Sequence, residues 1–304
     1  MPFVASPMPK IQAYARHKPY RLCGHRDQGL AKSGDARARY HPTKQDSRMI
    51  REVVKAPLWA IFRLVSRFYL VLSKREYRYV FILGHVRSGS TLLAHILANH
   101  PNFVGAGESH ISYRTADDLP KLVLQTCKSL HRPILRETYV VDQINHPYVT
   151  NEVLVSGRVY KCIILIREPE ATLKSIMKLL KCQEQEALDV YISRLEALTE
   201  YGVLLGKRAL LVEYDDLVDH TDHTLAALTS FLGLDSPLLP TYATHRMTGR
   251  EGYGDPSTNI RTGHIIRTPS HAVAINKDIL TLAARAFHKC RGQLQTATVP
   301  AMSH

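Results

Sequence analysis

The chain has 304 residues, 45% of them hydrophobic, and 40 Lys/Arg against 27 Asp/Glu give a formal net charge of +13. This ordinary globular composition suits one decorated α/β domain. The five cysteines, Cys23, Cys127, Cys162, Cys182 and Cys290, form no C-x-x-C pair. That argues against a disulfide scaffold or a zinc motif, and mildly for a reducing compartment.

Residues 1–50 carry ten Lys/Arg against three Asp/Glu, with Pro, Gly, Ser and Gln and little apolar periodicity. They read as a basic, poorly ordered arm. Its charge suits an acidic membrane surface or a nucleic acid, but a plain solvated tail is preferred and a nucleic-acid partner is not expected. Residues 51–76 read as an amphipathic helix. The apolar run 53–72 is long enough to span a bilayer, but Arg63 and Arg67 lie inside it, and burying them in hydrocarbon is costly. Arg63, Ser66, Arg67 and Lys74 share one helical face, so the helix docks on the domain or lies in a membrane interface through residues 53–74. Docking on the domain is preferred; no apolar leader follows Met1, and a cytoplasmic protein is expected, with peripheral membrane contact as the open alternative.

Residues 77–304 read as the α/β domain. The apolar run 80–83 is a buried strand. Gly84 and Gly89 bracket a loop, and Ser90 and Thr91 open a helix carrying Leu92, Leu93, Ile96 and Leu97. Strand, glycine loop and helix N-terminus together make a phosphate cradle, because unpaired N–H groups and the positive helix end face one point. The spacing is that of a Walker A loop, G-x-x-x-x-G-K-[ST], but Ser90 stands at the lysine position and the basic residue is Arg87, inside the loop. A nucleotidase needs that lysine on the β/γ-phosphates, together with Mg²⁺. The relocated charge suits a donor held by its 5′-phosphate, without metal.

Further along, 103–106 is a short strand, 117–130 a helix, 138–141 a strand and 161–166 an unbroken buried strand. Pro169 opens a helix. Residues 183–205 form a long helix with apolar Leu188, Tyr191, Ile192, Leu195 and Leu198; 209–212 is a strand, 224–232 a helix, 237–267 loop-rich, and 277–288 a last helix. Strands alternating with helices indicate a P-loop-like three-layer fold with a central, mostly parallel sheet flanked by helices.

Arg167 emerges from the C-terminal end of the strand 161–166, where open α/β sheets bind ligands, and Ser175 lies two turns into the next helix. A guanidinium and a hydroxyl so spaced can grip one phosphate.

The segments HVRSGSTLL and IREPEATLKS together resemble the two donor motifs of sulfotransferases that use 3′-phosphoadenosine 5′-phosphosulfate (PAPS). LLVEYDDLVDH with LTSFLGL, and GDPSTNIRTGHI, resemble two later segments of that family. The resemblance covers about residues 79–267. It implies that Arg87, Ser88, Gly89, Ser90 and Thr91 bind the 5′ side of PAPS. Arg167 and Ser175 then bind the 3′-phosphate, with Arg261 and Gly263 in a loop that closes over it. It further implies transfer of a sulfuryl group, with no metal required, to a hydroxyl of a carbohydrate, lipid-linked or small-molecule acceptor. Arg87 would stabilise the leaving nucleotide. For the base that takes the acceptor's proton, Glu108 is preferred over His146 and His110. Two rivals stay open: a P-loop-type kinase or NTPase, and a non-catalytic protein acting through its basic arm.

Overall fold

The computed structural model describes residues 76–250, 252–255, 257–267 and 274–301. The arm expected over residues 1–50 and, but for Glu76, the helix expected over 51–76 lie outside them. Among the described residues, six strands and eight α-helices follow in chain order: β1 (Arg78–Gly84), α1 (Ser90–Ala98), β2 (Phe103–Val104), α2 (Leu119–Leu130), β3 (Tyr139–Ile144), α3 (Asn151–Val155), β4 (Val159–Ile166), α4 (Pro169–Leu180), α5 (Glu184–Leu205), β5 (Ala209–Glu213), α6 (Tyr214–Asp219), α7 (Thr221–Leu232), α8 (Lys277–Ala297) and β6 (Val299–Pro300). Among the described residues no helix is long and apolar enough to cross a membrane.

The strands form one sheet in the order β2-β3-β1-β4-β5-β6, and each named pair is parallel. Parallel sheets need cover on both faces, which is why 79–83 of β1 and 162–166 of β4 are continuously apolar rather than alternating. Phe81, Leu83, Ile164 and Ile166 pack on one face against Leu173, Ile176, Leu195 and Leu294 of α4, α5 and α8. Val80, Ile82, Ile163 and Leu165 pack on the other against Leu93 and Leu97 of α1 and Leu225 and Leu228 of α7. Successive strand residues thus serve opposite layers. The chain leaves β1 for the β2–β3 side and later crosses from β3 to β4 on the other. That reversal opens a crevice at the carboxyl ends of β3, β1 and β4, where such sheets bind ligands.

Local chemistry sets the helix starts. Glu168 caps α4, its carboxylate accepting from the N–H groups of Glu170 and Ala171 at 2.8 Å each, with Pro169 in the first turn. Gln183 and Glu186 form a capping box for α5.

The structure departs from the expected elements at several places, among them an additional short helix, α6, and a β3 that runs on to Ile144. β2 stops at Val104 because the chain leaves the sheet edge there and turns through Gly107 (φ 92°). α8 continues to Ala297, since Cys290 and Leu294 extend the buried stripe of Ala283 and Phe287 past the charged Lys289 and Arg291. α3 and β6, five and two residues long, are too short to carry a periodic pattern.

Gly202 lets α5 and α8 approach closely. A Cβ there would collide with Leu294 Cδ2 and lie 3.3 Å from Ile164 Cδ1. Overpacking a dense core costs about 1–3 kcal/mol. Gly202→Val is expected to lower unfolding stability by about that amount, read as a shift of the urea midpoint.

Candidate active site

The turn from β1 to α1 is built on two left-handed residues, Arg87 (φ 69°) and Gly89 (φ 95°). Arginine in this region is strained, a feature that gathers at functional sites. At Gly89 the strain is absent, and a side chain there would run into the Tyr214 ring. The turn closes with the Ser88 N–H on the His85 carbonyl at 3.1 Å. No acidic residue stands in the first turn of α1, so its positive end is not neutralised locally.

His85 locks the base of the loop. Its Nδ1 lies 3.0 Å from the Val86 carbonyl, and its Nε2 accepts the Arg167 N–H at 3.0 Å. These partners assign the proton to Nδ1. Burial pushes the His85 pKa down to about 4, so the ring is neutral at pH 7 and adds no charge.

The two anion motifs expected from the sequence meet. Arg87 Nε donates to Ser175 Oγ at 2.7 Å across 88 residues of sequence. Arg167 Nη1 donates to the Arg87 carbonyl at 3.3 Å, and its guanidinium lies 4.0 Å over the Tyr214 ring. Arg87, Arg167 and Ser175 therefore form one basic, hydroxyl-bearing corner where the α1 N-terminus, the β4 end and α4 come together. Among the described residues, Ser88 Oγ, Arg167 Nε, Gln143 Nε2 and Asn145 Oδ1 are buried without a hydrogen-bond partner. Orphaned buried polar atoms are rare. Here they cluster around the loop and the strand ends, and the donors among them fit an anion with several oxygens.

Asp255 was not singled out from the sequence. Its carboxylate pairs with Arg87 Nη1 at 3.0 Å, and its N–H donates to Thr91 Oγ1 at 3.0 Å. Burial alone would raise its pKa. Arg87 and the Ser257 N–H and hydroxyl outweigh that and hold the carboxyl below its ordinary value. An acidic residue in a loop of Gly, Pro and Asp gives no sequence signal for this contact. Arg261 and Gly263 lie elsewhere in the same region. Arg261 Nη2 donates to the Gly249 carbonyl at 2.9 Å, and the Gly263 carbonyl accepts the Tyr242 N–H at 2.9 Å. No described contact joins either to Arg87, Arg167 or Ser175.

On the β2–β3 side the structure gathers Glu108, His110 and His146, with one ligand-type atom from each within 4.8 Å of the others. Burial raises the Glu108 pKa above the ordinary carboxylate value; His110, a hydrogen bond from Asn145 and Arg194 work against it. Burial, aided by His110 and Arg194, pushes His146 down to about 3, so it is neutral at pH 7. Asn145, at the end of β3, also donates to Ser90 Oγ at 3.0 Å. It thus links the first residue of α1 to Glu108. Thr91 Oγ1 donates to Gln143 Oε1 at 3.2 Å, a second tie between loop and β3. Beneath lies Arg194 of α5, buried, donating to the Gly84 and Ile144 carbonyls at 2.8 Å each. The helical pattern of α5 places Arg194 beside Leu195 without revealing that it points inward.

Asp142 fixes the Glu108 loop from below. It accepts from the Ser109 N–H (3.0 Å), the Ser109 hydroxyl and the Tyr113 hydroxyl (2.6 Å). Burial still raises its pKa, to about 6. A carboxyl whose folded-state pKa is raised binds its proton more tightly when folded, so stability falls as pH rises from the ordinary carboxylate value to about 6. Over that window the wild-type chain should lose about 2–3 kcal/mol relative to Asp142→Asn, measured as the difference in their urea-unfolding slopes against pH.

Residues 79–148 match the model of the sulfotransferase family. The matched segment runs from β1 through the loop and Glu108 to just beyond His146; Arg167, Ser175 and Asp255 lie outside it. No curated protein matches the chain.

Proposed function

We propose that this chain, with its sulfotransferase-family segment, transfers a sulfuryl group from PAPS to a hydroxyl of a carbohydrate, lipid-linked or small-molecule acceptor. The observation that carries this reading is the meeting of two anion-binding elements. The Arg87 loop and the Arg167–Ser175 pair touch through the 2.7 Å Arg87–Ser175 bond, which suits a donor bearing phosphates at both its 5′ and 3′ positions. The buried, unsatisfied Ser88 Oγ and Arg167 Nε support the same reading.

When bound, PAPS supplies an activated sulfuryl group on a nucleotide leaving group. Arg87, Ser88, Ser90, Thr91 and the N–H groups around Gly89 hold the 5′ side and balance the negative charge that grows on the departing phosphate. Arg167 and Ser175 hold the 3′-phosphate, with Arg261 and Gly263 as further donors from the loop after α7. Asp255 pairs with Arg87 Nη1, so the donor's anionic groups compete with it for that guanidinium. Glu108 accepts the acceptor's hydroxyl proton, and its burial-raised pKa brings it nearer to the working pH, as a general base requires. Asn145 holds Glu108 at a set distance from the loop, which keeps base and donor in one frame. No residue of this scheme calls for a metal ion. The basic, apolar segment 53–74 supports a cytoplasmic placement with peripheral membrane contact.

In calorimetry without metal, adenosine 3′,5′-bisphosphate is expected to bind at micromolar or tighter affinity, well ahead of Mg·ATP; the opposite order would overturn the reading. Arg167→Ala should weaken the bisphosphate far more than adenosine 5′-phosphate. Equal losses would remove the 3′-phosphate assignment.

Glu108→Gln should lower kcat by roughly 10²–10⁴ with bisphosphate affinity nearly unchanged. In the wild type, turnover should fall as pH drops through a value above the ordinary carboxylate range, and this limb should vanish in the variant. Full activity in Glu108→Gln would move the base to His146.

A further inference from the structure

The triad Glu108, His110 and His146 has a capacity that the sulfuryl-transfer scheme does not use. Glu108 and His110 come from the loop after β2, and His146 from the turn after β3. Glu108 Oε1 lies 3.9 Å from His110 Nδ1, and one donor atom of each residue falls within 4.8 Å of the other two. His110 is held for this task. Its Nε2 lies 2.9 Å from the Gly252 carbonyl, which assigns the ring proton to Nε2 and leaves the Nδ1 lone pair toward Glu108. A ligating histidine characteristically donates its far N–H to such a carbonyl. His110 also adopts a left-handed backbone (φ 54°), which an ordinary surface loop has no need to impose. The His110 and His146 rings are nearly parallel, 28° apart with centroids at 5.9 Å, and Tyr148 packs on His146 at 4.4 Å.

From this geometry we infer a transition-metal site: Glu108, His110 and His146 bind one Zn²⁺ ion. Two imidazoles and one carboxylate suit zinc and leave a position open, whereas Mg²⁺ and Ca²⁺ favour all-oxygen sets. Ligation by His146 Nδ1 displaces the long 3.3 Å contact it accepts from the Tyr148 N–H. Arg194, close enough to act on Glu108, opposes a dication and weakens its binding. Zinc bound here takes the Glu108 lone pair, so it inhibits transfer; this consequence rests on the role proposed for Glu108, whereas the binding does not.

The test titrates the metal-stripped full chain with ZnSO₄ against a chromogenic zinc indicator, with no nucleotide present. The chain has 16 histidines, so the comparison with variants decides. One micromolar site is expected, weakened roughly tenfold or more by His110→Ala and by His146→Ala. Thermal unfolding and bisphosphate binding of His110→Ala should stay at the wild-type level, which separates lost ligation from lost folding. Co²⁺ should give a visible absorption band in the wild type that the double variant lacks. Equal zinc binding by the double variant, or no micromolar site in the wild type, would overturn the inference. Because the titration contains no donor, its failure leaves the sulfotransferase reading intact, and failure of bisphosphate binding leaves the zinc result intact.

Discussion

The last carbonyls of β1 and β3, Gly84 and Ile144, both point at the guanidinium of Arg194, which α5 delivers from beneath the sheet. Each strand ends there and begins a functional segment: the anion loop after Gly84, and Asn145 and His146 after Ile144. Burying a guanidinium carries a desolvation penalty of several kcal/mol, reduced here by two carbonyl bonds, the Tyr201 ring at 5.6 Å and the Glu108 carboxylate, although burial still lowers the Arg194 pKa and its Nη1 has no partner. One cation thus sets the spacing of the two strand ends and the field on the acceptor side. It favours the Glu108 carboxylate while disfavouring protonation of His146.

Above this base the charges divide. Toward β4 lie Arg87 and Arg167, with the neutral His85 between their backbones. Toward β3 lie a carboxylate and two histidines. Asp255 bridges the halves, since its carboxylate meets Arg87 while its N–H meets Thr91, itself bonded to Gln143 of β3. In a low-dielectric crevice such fixed charges act more strongly than in water. An anion entering the basic corner competes with one carboxylate, Asp255, which is held by its own loop through Ser257. The donor side therefore keeps a net positive charge, two guanidinium groups against one carboxylate, and Ser88 Oγ and Arg167 Nε are its unsatisfied polar atoms.

The acceptor side is set by burial rather than by net charge. Glu108 is shielded enough to raise its pKa, and the loop that presents it is pinned by Asp142, Ser109 and Tyr113 below and by the Tyr253 carbonyl above. Gly107 makes this possible: a Cβ there would strike the Tyr253 carbonyl, so only glycine lets the two segments lie so close. The same confinement that makes Glu108 a better base brings His110 and His146 within ligating distance.

The sequence by itself determined the layers and the anion loop. Strand runs such as 161–166, the glycines flanking Arg87 and Pro169 at a helix start act over a few residues, so periodicity and turn chemistry expose them. It also marked Arg87 in the loop, Arg167 at a strand end and Ser175 on the following helix as charged or hydroxyl groups suited to an anion. Tertiary structure alone decided that Arg87 meets Ser175, that Asp255 sits 168 residues away on the same guanidinium, and that Arg194 points inward. It also decided that Glu108, His110 and His146 converge although their spacing fits no metal motif, and that Arg261 turns to Gly249. These contacts depend on the strand order β2-β3-β1-β4, which places residues distant in the chain at neighbouring strand ends. Local pattern carries no record of that order, because the crossovers are fixed by packing both faces of the sheet at once.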